Sequence, residues 1–362
     1  RVGGSEIISS NSKTSYNGNY GLNASWTLYN GNKRLKTIQQ EKLNNQMAEL
    51  DVATSENNIQ ESIAQVYIQI LYAAESVKVN ENTLQVSIAQ RDRGQELLNA
   101  GSIAKSDLAQ LEAQVSTDRY QLVTAQATLE DYKLQLKQLL ELDGENEMNI
   151  YLPALSDENV LAPLPTKRDV YISALSLRPE IEASKLNVEA SELGINIAKS
   201  SYFPTISLSA GIGTNHTSGS DFTFGEQVKN GWNNSIGLSI SVPIFNNRQT
   251  KSAVQKAKLQ YETSMLSLLD EQKALYKTIE SLWLDANSAQ QRYAAANEKL
   301  KSTQISYELI SEQFNLGMKN TVELLTEKNN LLQAQQEQLQ AKYMAILNTQ
   351  LLKFYQGDQL AL

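Results

Sequence analysis

Two periodicities alternate along this chain. Across residues 20–29, Tyr20, Leu22, Ala24, Trp26 and Leu28 alternate with Gly21, Asn23, Ser25, Thr27 and Tyr29. A period of two over ten residues predicts a strand with one apolar and one polar face. The same pattern returns over 236–245, where Ile236, Leu238, Ile240, Val242 and Ile244 alternate with Gly237, Ser239, Ser241, Pro243 and Phe245. A third strand is predicted over 205–213, with Ile206, Leu208, Ala210 and Ile212 on one side and Ser207, Ser209, Gly211 and Gly213 on the other.

Between these segments the period lengthens to that of helices. Residues 32–143 contain no proline and only two glycines, Gly94 and Gly101; residues 248–356 contain no proline and one glycine, Gly317. Such Ala-, Gln-, Leu-, Glu- and Lys-rich tracts favour helix. A continuous helix over 32–100 would run roughly 100 Å at about 1.5 Å per residue. Ile59, Ile63, Val66, Ile70, Ala73, Val77 and Leu84 form a heptad seam, and Ala64, Tyr67, Leu71 and Ala74 form a second stripe beside it. Two adjacent stripes imply neighbours on both sides, as in the wall of a cylinder. The return helix continues the seam through Leu108, Leu111, Val115, Leu122, Ala125, Leu129, Tyr132, Leu136 and Leu139, with Asp118 as its one break.

Sliding the sequence against itself by 216 positions superimposes the two stretches without a gap. Gly21 falls on Gly237, Asn30 on Asn246, Ala73 on Ala289, Gly101 on Gly317 and Leu108 on Leu324. The period is too long for a solenoid unit and marks a duplicated half-molecule. Between the halves lies a proline-bearing connector over 141–168 (Pro153, Pro163, Pro165), followed by a helix predicted from Pro179 to about Ser200. Residues 1–19 and 214–230 are predicted as loops, the latter joining two strands into a hairpin.

Composition narrows the chemistry. The 362 residues carry a net charge of −8, one histidine and no cysteine. That excludes disulfides and thiolate chemistry and argues against a nucleic-acid partner. His216 lies in a Gly/Ser/Thr/Asn-rich stretch and is expected to be a solvated loop residue; nothing around it suggests a triad, a metal or a cofactor. No apolar run reaches the roughly 20 residues of a membrane-spanning helix. The strands, however, have the length and two-faced pattern of barrel strands in lipid. Trp26, Tyr29, Tyr202, Phe203, Trp232 and Phe245 gather near their ends, where an interfacial aromatic girdle would lie. The other reading of any one strand is a half-buried sheet in a soluble core.

The passage from Leu177-Arg178-Pro179-Glu180-Ile181 to Tyr202-Phe203-Pro204-Thr205-Ile206, and the paired sites Gly101 to Asp107-Leu108 and Gly317 to Glu323-Leu324, resemble the TolC-like outer-membrane efflux proteins. The resemblance implies a mostly α-helical chain with a membrane β-barrel portion. Duplicated helical hairpins would form a trimeric α-barrel tunnel in the periplasm, capped by a shared twelve-stranded barrel in the outer membrane of a Gram-negative bacterium. It implies a homotrimer, contact with outer-membrane lipid, a periplasmic adaptor protein and, through it, an inner-membrane pump. Three strands per chain cannot give twelve, so the chain is expected to be N-terminally incomplete. Residues 1–31 are then loop and first barrel strand, 32–140 and 248–356 the two tunnel hairpins, and 141–178 an equatorial connector. Residues 179–203 form the helix leading to the barrel, 204–247 the barrel hairpin and 357–362 a tail.

Carried over position by position, the resemblance places a gate at the helical tips. Asp107 and Glu323 match acidic members, Lys319 a basic one, Phe314 a position often held by tyrosine, and Thr326 one where a further acid can stand. Gly101 and Gly317 supply the turns themselves. Both acids also sit where the first turn of a helix favours negative charge, which requires no gate. The function expected is an exit duct without covalent chemistry. The alternative is a coiled-coil scaffold, soluble or surface-attached, that binds partners through its seams.

Overall fold

The computed structural model describes residues 15–142, 150–151 and 160–360. The expected loop before residue 15, Pro153 of the connector and the last two residues of the tail lie outside them. The described elements are β1 (Asn17–Asn30), α1 (Lys33–Asn99), α2 (Lys105–Leu139), α3 (Lys167–Leu177), α4 (Pro179–Lys199), β2 (Thr205–Thr217), α5 (Phe224–Asn230), β3 (Asn233–Ser241), α6 (Gln249–Asn315) and α7 (Thr321–Gln356). No described helix is long and apolar enough to cross a membrane. The chain divides into two compact units, residues 1–46 with 186–266 and residues 47–185 with 267–362.

In the first unit the three strands form one antiparallel sheet in the order β1-β2-β3. Register settles which side chains share a face, because directly opposed residues point the same way. Leu22 faces Ile212, Ala24 faces Ala210 and Trp26 faces Leu208; on the other side of β2, Ile236 faces Ala210, Leu238 faces Leu208 and Ile240 faces Ile206. The apolar sets predicted for the three strands therefore merge into one surface. The opposite face collects Asn23, Ser25, Ser207, Ser209, Gly211, Ser235 and Ser239. Small residues there are a steric need, since a Cβ on Gly211 would stand 2.7 Å from Asn23 Oδ1 and 2.9 Å from Ser235 Oγ. Every residue of β3 is exposed, and no described strand pairs with the outer edge of β1 or of β3.

The strand assignments change at several points, first because β1 begins at Asn17 and β2 runs to Thr217, both inside stretches predicted as loop. The register slips between Thr27 and Tyr29, so Leu28 is an extra residue and Tyr29 comes to face Ile206. This bulge moves Tyr29 from the predicted polar set onto the apolar face. Strand β3 ends at Ser241, four residues short of the predicted end at Phe245. Pro243 lacks an N–H for the ladder and restricts Val242 before it, so the alternation through Phe245 continues without strand pairing. His216 also departs from expectation. It lies near the end of β2 opposite Gly18, with its ring 5.0 Å from that of Phe224 on α5, a short helix inside the predicted loop.

Both strand-to-helix turns use two successive left-handed residues, Gly31 and Asn32 before α1 and Asn247 and Arg248 before α6. These are positions 31 and 32 and their counterparts 216 further on. Gly31 is crowded as well: a Cβ there would sit 2.7 Å from the Ser200 carbonyl oxygen, and Ser200 Oγ donates to Gly31 O at 2.9 Å. Within this unit, Gln40 donates to Ala190 O at 2.8 Å and Ser191 lies 2.8 Å from Ser264, joining the α1, α4 and α6 segments.

The second unit is helical. Both predicted stripes of α1 contribute to its interior, through Ile70, Ala73 and Leu84 from one and Ala64, Leu71 and Ala74 from the other, whereas Ile59 is exposed. Ala64, Ile68 and Leu71 pack on Tyr343, Leu347 and Leu351 of α7. A second cluster is built by α3, which the sequence reading left inside the connector. Val170 and Ala174 of α3 join Ile181, Leu275, Ile279, Leu352 and Tyr355. Thr166 caps α3 by accepting from the Asp169 N–H. Arg178, between α3 and α4, bonds Glu180 at 2.8 Å and Glu61 at 3.1 Å and lies 4.1 Å above the Tyr355 ring. Asp118 does not interrupt the α2 seam; it is buried and paired with Lys328.

Candidate functional site at the helical tips

The two tips are built alike. Gly101 (φ 73) and Gly317 (φ 75) are left-handed. Gly101 N–H donates to Leu98 O at 2.9 Å and Ser102 N–H to Leu97 O at 2.8 Å; Gly317 N–H donates to Phe314 O at 2.9 Å and Met318 N–H to Gln313 O at 2.8 Å. The pair of bonds closes the carbonyls left open at a helix end, and glycine enters the left-handed region without steric cost.

Three residues on comes the N-cap of each return helix, Ala104 and Asn320. Asp107 Oδ2 accepts from the Ala104 N–H at 3.0 Å, and Glu323 Oε2 accepts from the Asn320 N–H at 3.3 Å. At the second tip the arrangement is reciprocal, with Asn320 Oδ1 accepting from Glu323 N–H at 2.9 Å. This is a capping box; the first tip has only half of one, because Ala104 offers no side-chain acceptor. Glu323 carries a further contact, Lys319 Nζ at 2.6 Å. The Lys319 hydrogen bond, and then the one from the Asn320 backbone, hold the Glu323 carboxyl below its ordinary range.

The remaining predicted residues separate. Phe314 is buried, 2 % exposed, against Leu111 and Leu324, so it serves the packing between the tips. Thr326 is exposed and its hydroxyl donates to Val322 O at 2.8 Å within its own helix. The aromatics expected at a membrane interface, Trp26, Tyr29, Tyr202, Phe203, Trp232 and Phe245, are all more than a third exposed. Trp26 and Tyr29 fall on the apolar face of the sheet by register.

Sequence reading missed the polar ties between the two hairpins. Gln90 Nε2 donates to the Tyr307 hydroxyl at 2.8 Å, and Arg93 bonds Glu96 at 2.8 Å while reaching Asn315 O at 3.4 Å. It also missed why Gly94 is a glycine: a Cβ there would stand 2.4 Å from Leu111 Cδ1, so its bareness lets α1 and α2 approach closely. That signal was present, since Gly94 is the one glycine inside an otherwise unbroken helical tract.

The chain is similar to proteins of known role. BepC, an outer membrane efflux protein of Brucella suis, is 24 % identical over 294 residues, which is 81 % of this chain and 61 % of that protein. The outer membrane protein TolC of Escherichia coli is 24 % identical, over 79 % of this chain and 58 % of its own length. The chain thus spans about three fifths of these relatives. Among solved structures, CusC superimposes with a TM-score of 0.81 at 20 % identity, covering 98 % of this chain and 81 % of CusC. VceC of Vibrio cholerae gives 0.75 at 15 % identity, covering 96 % and 88 %. At those identities the likeness speaks for the fold, a mostly helical chain with a small sheet. The family model for outer membrane efflux proteins matches residues 3–141 and 170–357. The chain belongs to the outer membrane efflux protein family.

Proposed function

We propose that the chain forms the outer-membrane exit duct of a tripartite export system in a Gram-negative bacterium. Three copies assemble; β1, β2 and β3 of every copy belong to a shared twelve-stranded barrel in lipid, ringed by Trp26, Tyr29, Tyr202, Phe203, Trp232 and Phe245. Helices α1, α2, α6 and α7 line a water-filled periplasmic tunnel. A periplasmic adaptor meets the tunnel, and an inner-membrane pump supplies the cargo. The protein guides passage and performs no covalent chemistry.

The observation that carries this reading is the sheet. It has one continuous apolar face, exposed at Leu22, Trp26, Ile236, Leu238 and Ile240 and touched by α5 only near Tyr20 and His216, one polar face, and two outer edges without a described partner. Exposed edges and an uncovered apolar face are liabilities in water. In lipid they resolve together, because a closed barrel pairs every edge and turns the apolar face to hydrocarbon.

The mouth of the duct lies at the tips, where Asp107 and Glu323 repeat around the trimer axis and bias the opening toward cations. Lys319 tempers that field through its contact with Glu323, and uncharged Thr326 adds nothing to it. Phe314 holds the tips together from behind, and Gly101 and Gly317 shape the turns.

Purified protein reconstituted into a planar bilayer tests the proposal. Discrete, cation-selective conductance is expected, and solubility is expected to require detergent. A monodisperse, detergent-free protein with no conductance would instead indicate a soluble scaffold.

A further inference from the structure

Behind the tips, α7 meets the α1/α2 hairpin through three buried polar side chains. Lys328 Nζ donates to Asp118 Oδ2 and to Ser87 Oγ, and Ser87 Oγ donates to Asp118 Oδ2. Gln114 Nε2 completes the carboxylate by donating to Asp118 Oδ1 at 2.9 Å. Lys328 is 3 % exposed, Asp118 1 % and Ser87 2 %. Each comes from a different helix, α7, α2 and α1 respectively.

Such a pair is a poor source of net stability, because desolvating both charges offsets most of their attraction. The internal repeat supplies a control. The counterparts of Ser87 and Asp118, 216 positions on, are Thr303 and Ala334, and the counterpart of Lys328 is Glu112. Ala334 is fully buried, and Thr303 turns its hydroxyl back to Lys299 O of its own helix at 2.6 Å. The same helical plan therefore packs with an alanine at the position of Asp118, so packing does not demand the charges.

What the charges add is axial register. Around Lys328, α7 presents Leu324, Leu331 and Leu332, an apolar row that a slip of one turn, about 5.4 Å, would largely reproduce. The same slip would leave a buried ammonium and a buried carboxylate without partners, which the apolar row cannot compensate.

We propose that Ser87, Asp118 and Lys328 are a register clamp that fixes where α7 sits along α1 and α2. It thereby sets the height of Lys319 and Glu323 relative to Arg93 and Asp107, and any motion that widens the tips proceeds without sliding along this seam. The clamp itself rests on the geometry of one chain; its consequence for the mouth rests on the duct reading.

The absence of native cysteine makes a direct test possible in the full chain. Thr117 on α2 and both Asn329 and Gln333 on α7 line one groove, with Gln333 about one turn beyond Asn329. The ratio of oxidative cross-linking rates for T117C/N329C and T117C/Q333C reports register, independently of conductance. In a D118L/K328M background the chain is expected to stay folded and the two rates to converge; the reversed pair D118K/K328D is expected to restore the native preference. A native ratio in D118L/K328M would overturn the clamp. Loss of folding in D118L/K328M would overturn it too, because the trio would then be a stability element. Altered conductance with an unchanged ratio would leave the duct standing and remove the clamp.

Discussion

Lys319 Nζ, just before the N-cap of α7, and Glu323 Oε1, in its first turn, lie 2.6 Å apart. Asp107, the counterpart of Glu323, has no such lysine: Lys319 corresponds to Ile103. The duplication therefore gave the two tips the same backbone and different electrostatics. The depressed Glu323 carboxyl follows from that difference.

A carboxyl held below its unfolded value favours the folded state above that value and loses the contribution as pH falls through the folded one. Cation selectivity measured by reversal potential is thus expected to persist below the ordinary glutamate range near pH 4.3. Lys319→Ala should shift the loss of selectivity to higher pH, and Glu323→Gln should weaken selectivity at every pH. An acid transition that ignores Lys319 would separate Glu323 from the mouth.

Gly94 and Gly101 make opposite demands. At Gly101 a Cβ would meet nothing within 4 Å, so Gly101→Ala suffers only the left-handed backbone, about 1–2 kcal/mol. At Gly94 the backbone is helical, and alanine gains about 1 kcal/mol of propensity. That gain is set against overpacking of about 1–3 kcal/mol on buried Leu111. Gly94→Ala is therefore expected to lower the unfolding temperature and Leu111→Val to recover part of the loss, whereas Leu111→Val should not help Gly101→Ala.

Among the described residues Arg178 is the one cation that bonds both Glu61 and Glu180, and it is 7 % exposed. Truncating it takes the cation away from two partly buried carboxylates, so Arg178→Ala should cost on the order of 3 kcal/mol in chemical denaturation. Adding Glu180→Gln should return part of that. Arg178→Lys keeps the charge but not the planar group over Tyr355, and is expected to fall between. Equal stability of all three variants would contradict this account of the joint between α3 and α4.

Tyr343 and Tyr355 are both pushed up to about 12, chiefly by burial, with Glu75 adding to the first and Glu61 to the second. A raised value contributes stability that is complete below the unfolded tyrosine value near 10 and is lost as pH climbs toward 12. Melting temperature should fall between pH 10 and 12, and Tyr343→Phe with Tyr355→Phe should flatten that fall. An unaltered alkaline profile in the double variant would place the sensitivity elsewhere.

Local rules carried much of this architecture. Alternation marked all three strands, the 216-residue offset paired the tips, and single glycines located the turns at Gly101 and Gly317. The bulge at Leu28 was hidden because it depends on how β1 meets β2, not on either strand alone. The early end of β3 was legible in Pro243, but the alternating side chains on either side outweighed it. Helix α3 escaped because its 11 residues follow a proline-rich run and bury only one stripe, Val170 and Ala174. Asp118 looked like a fault in the α2 seam because its partner, Lys328, lies 210 residues away. The packing of Phe314 on Leu111 and Leu324 was not legible either, because it depends on how α6 meets α2 and α7.

The duct requires one arrangement above all: strands with hydrocarbon on one side and water on the other. With no native cysteine to remove, single cysteines along β1 and β3 can carry nitroxide labels in the reconstituted protein. Collision rates with oxygen, which favours lipid, and with a water-soluble nickel chelate should alternate with period two. Oxygen should dominate at positions 22, 24, 236 and 238, and nickel at positions 23, 25, 237 and 239. Nickel access at both sets, or at neither, would contradict a barrel wall.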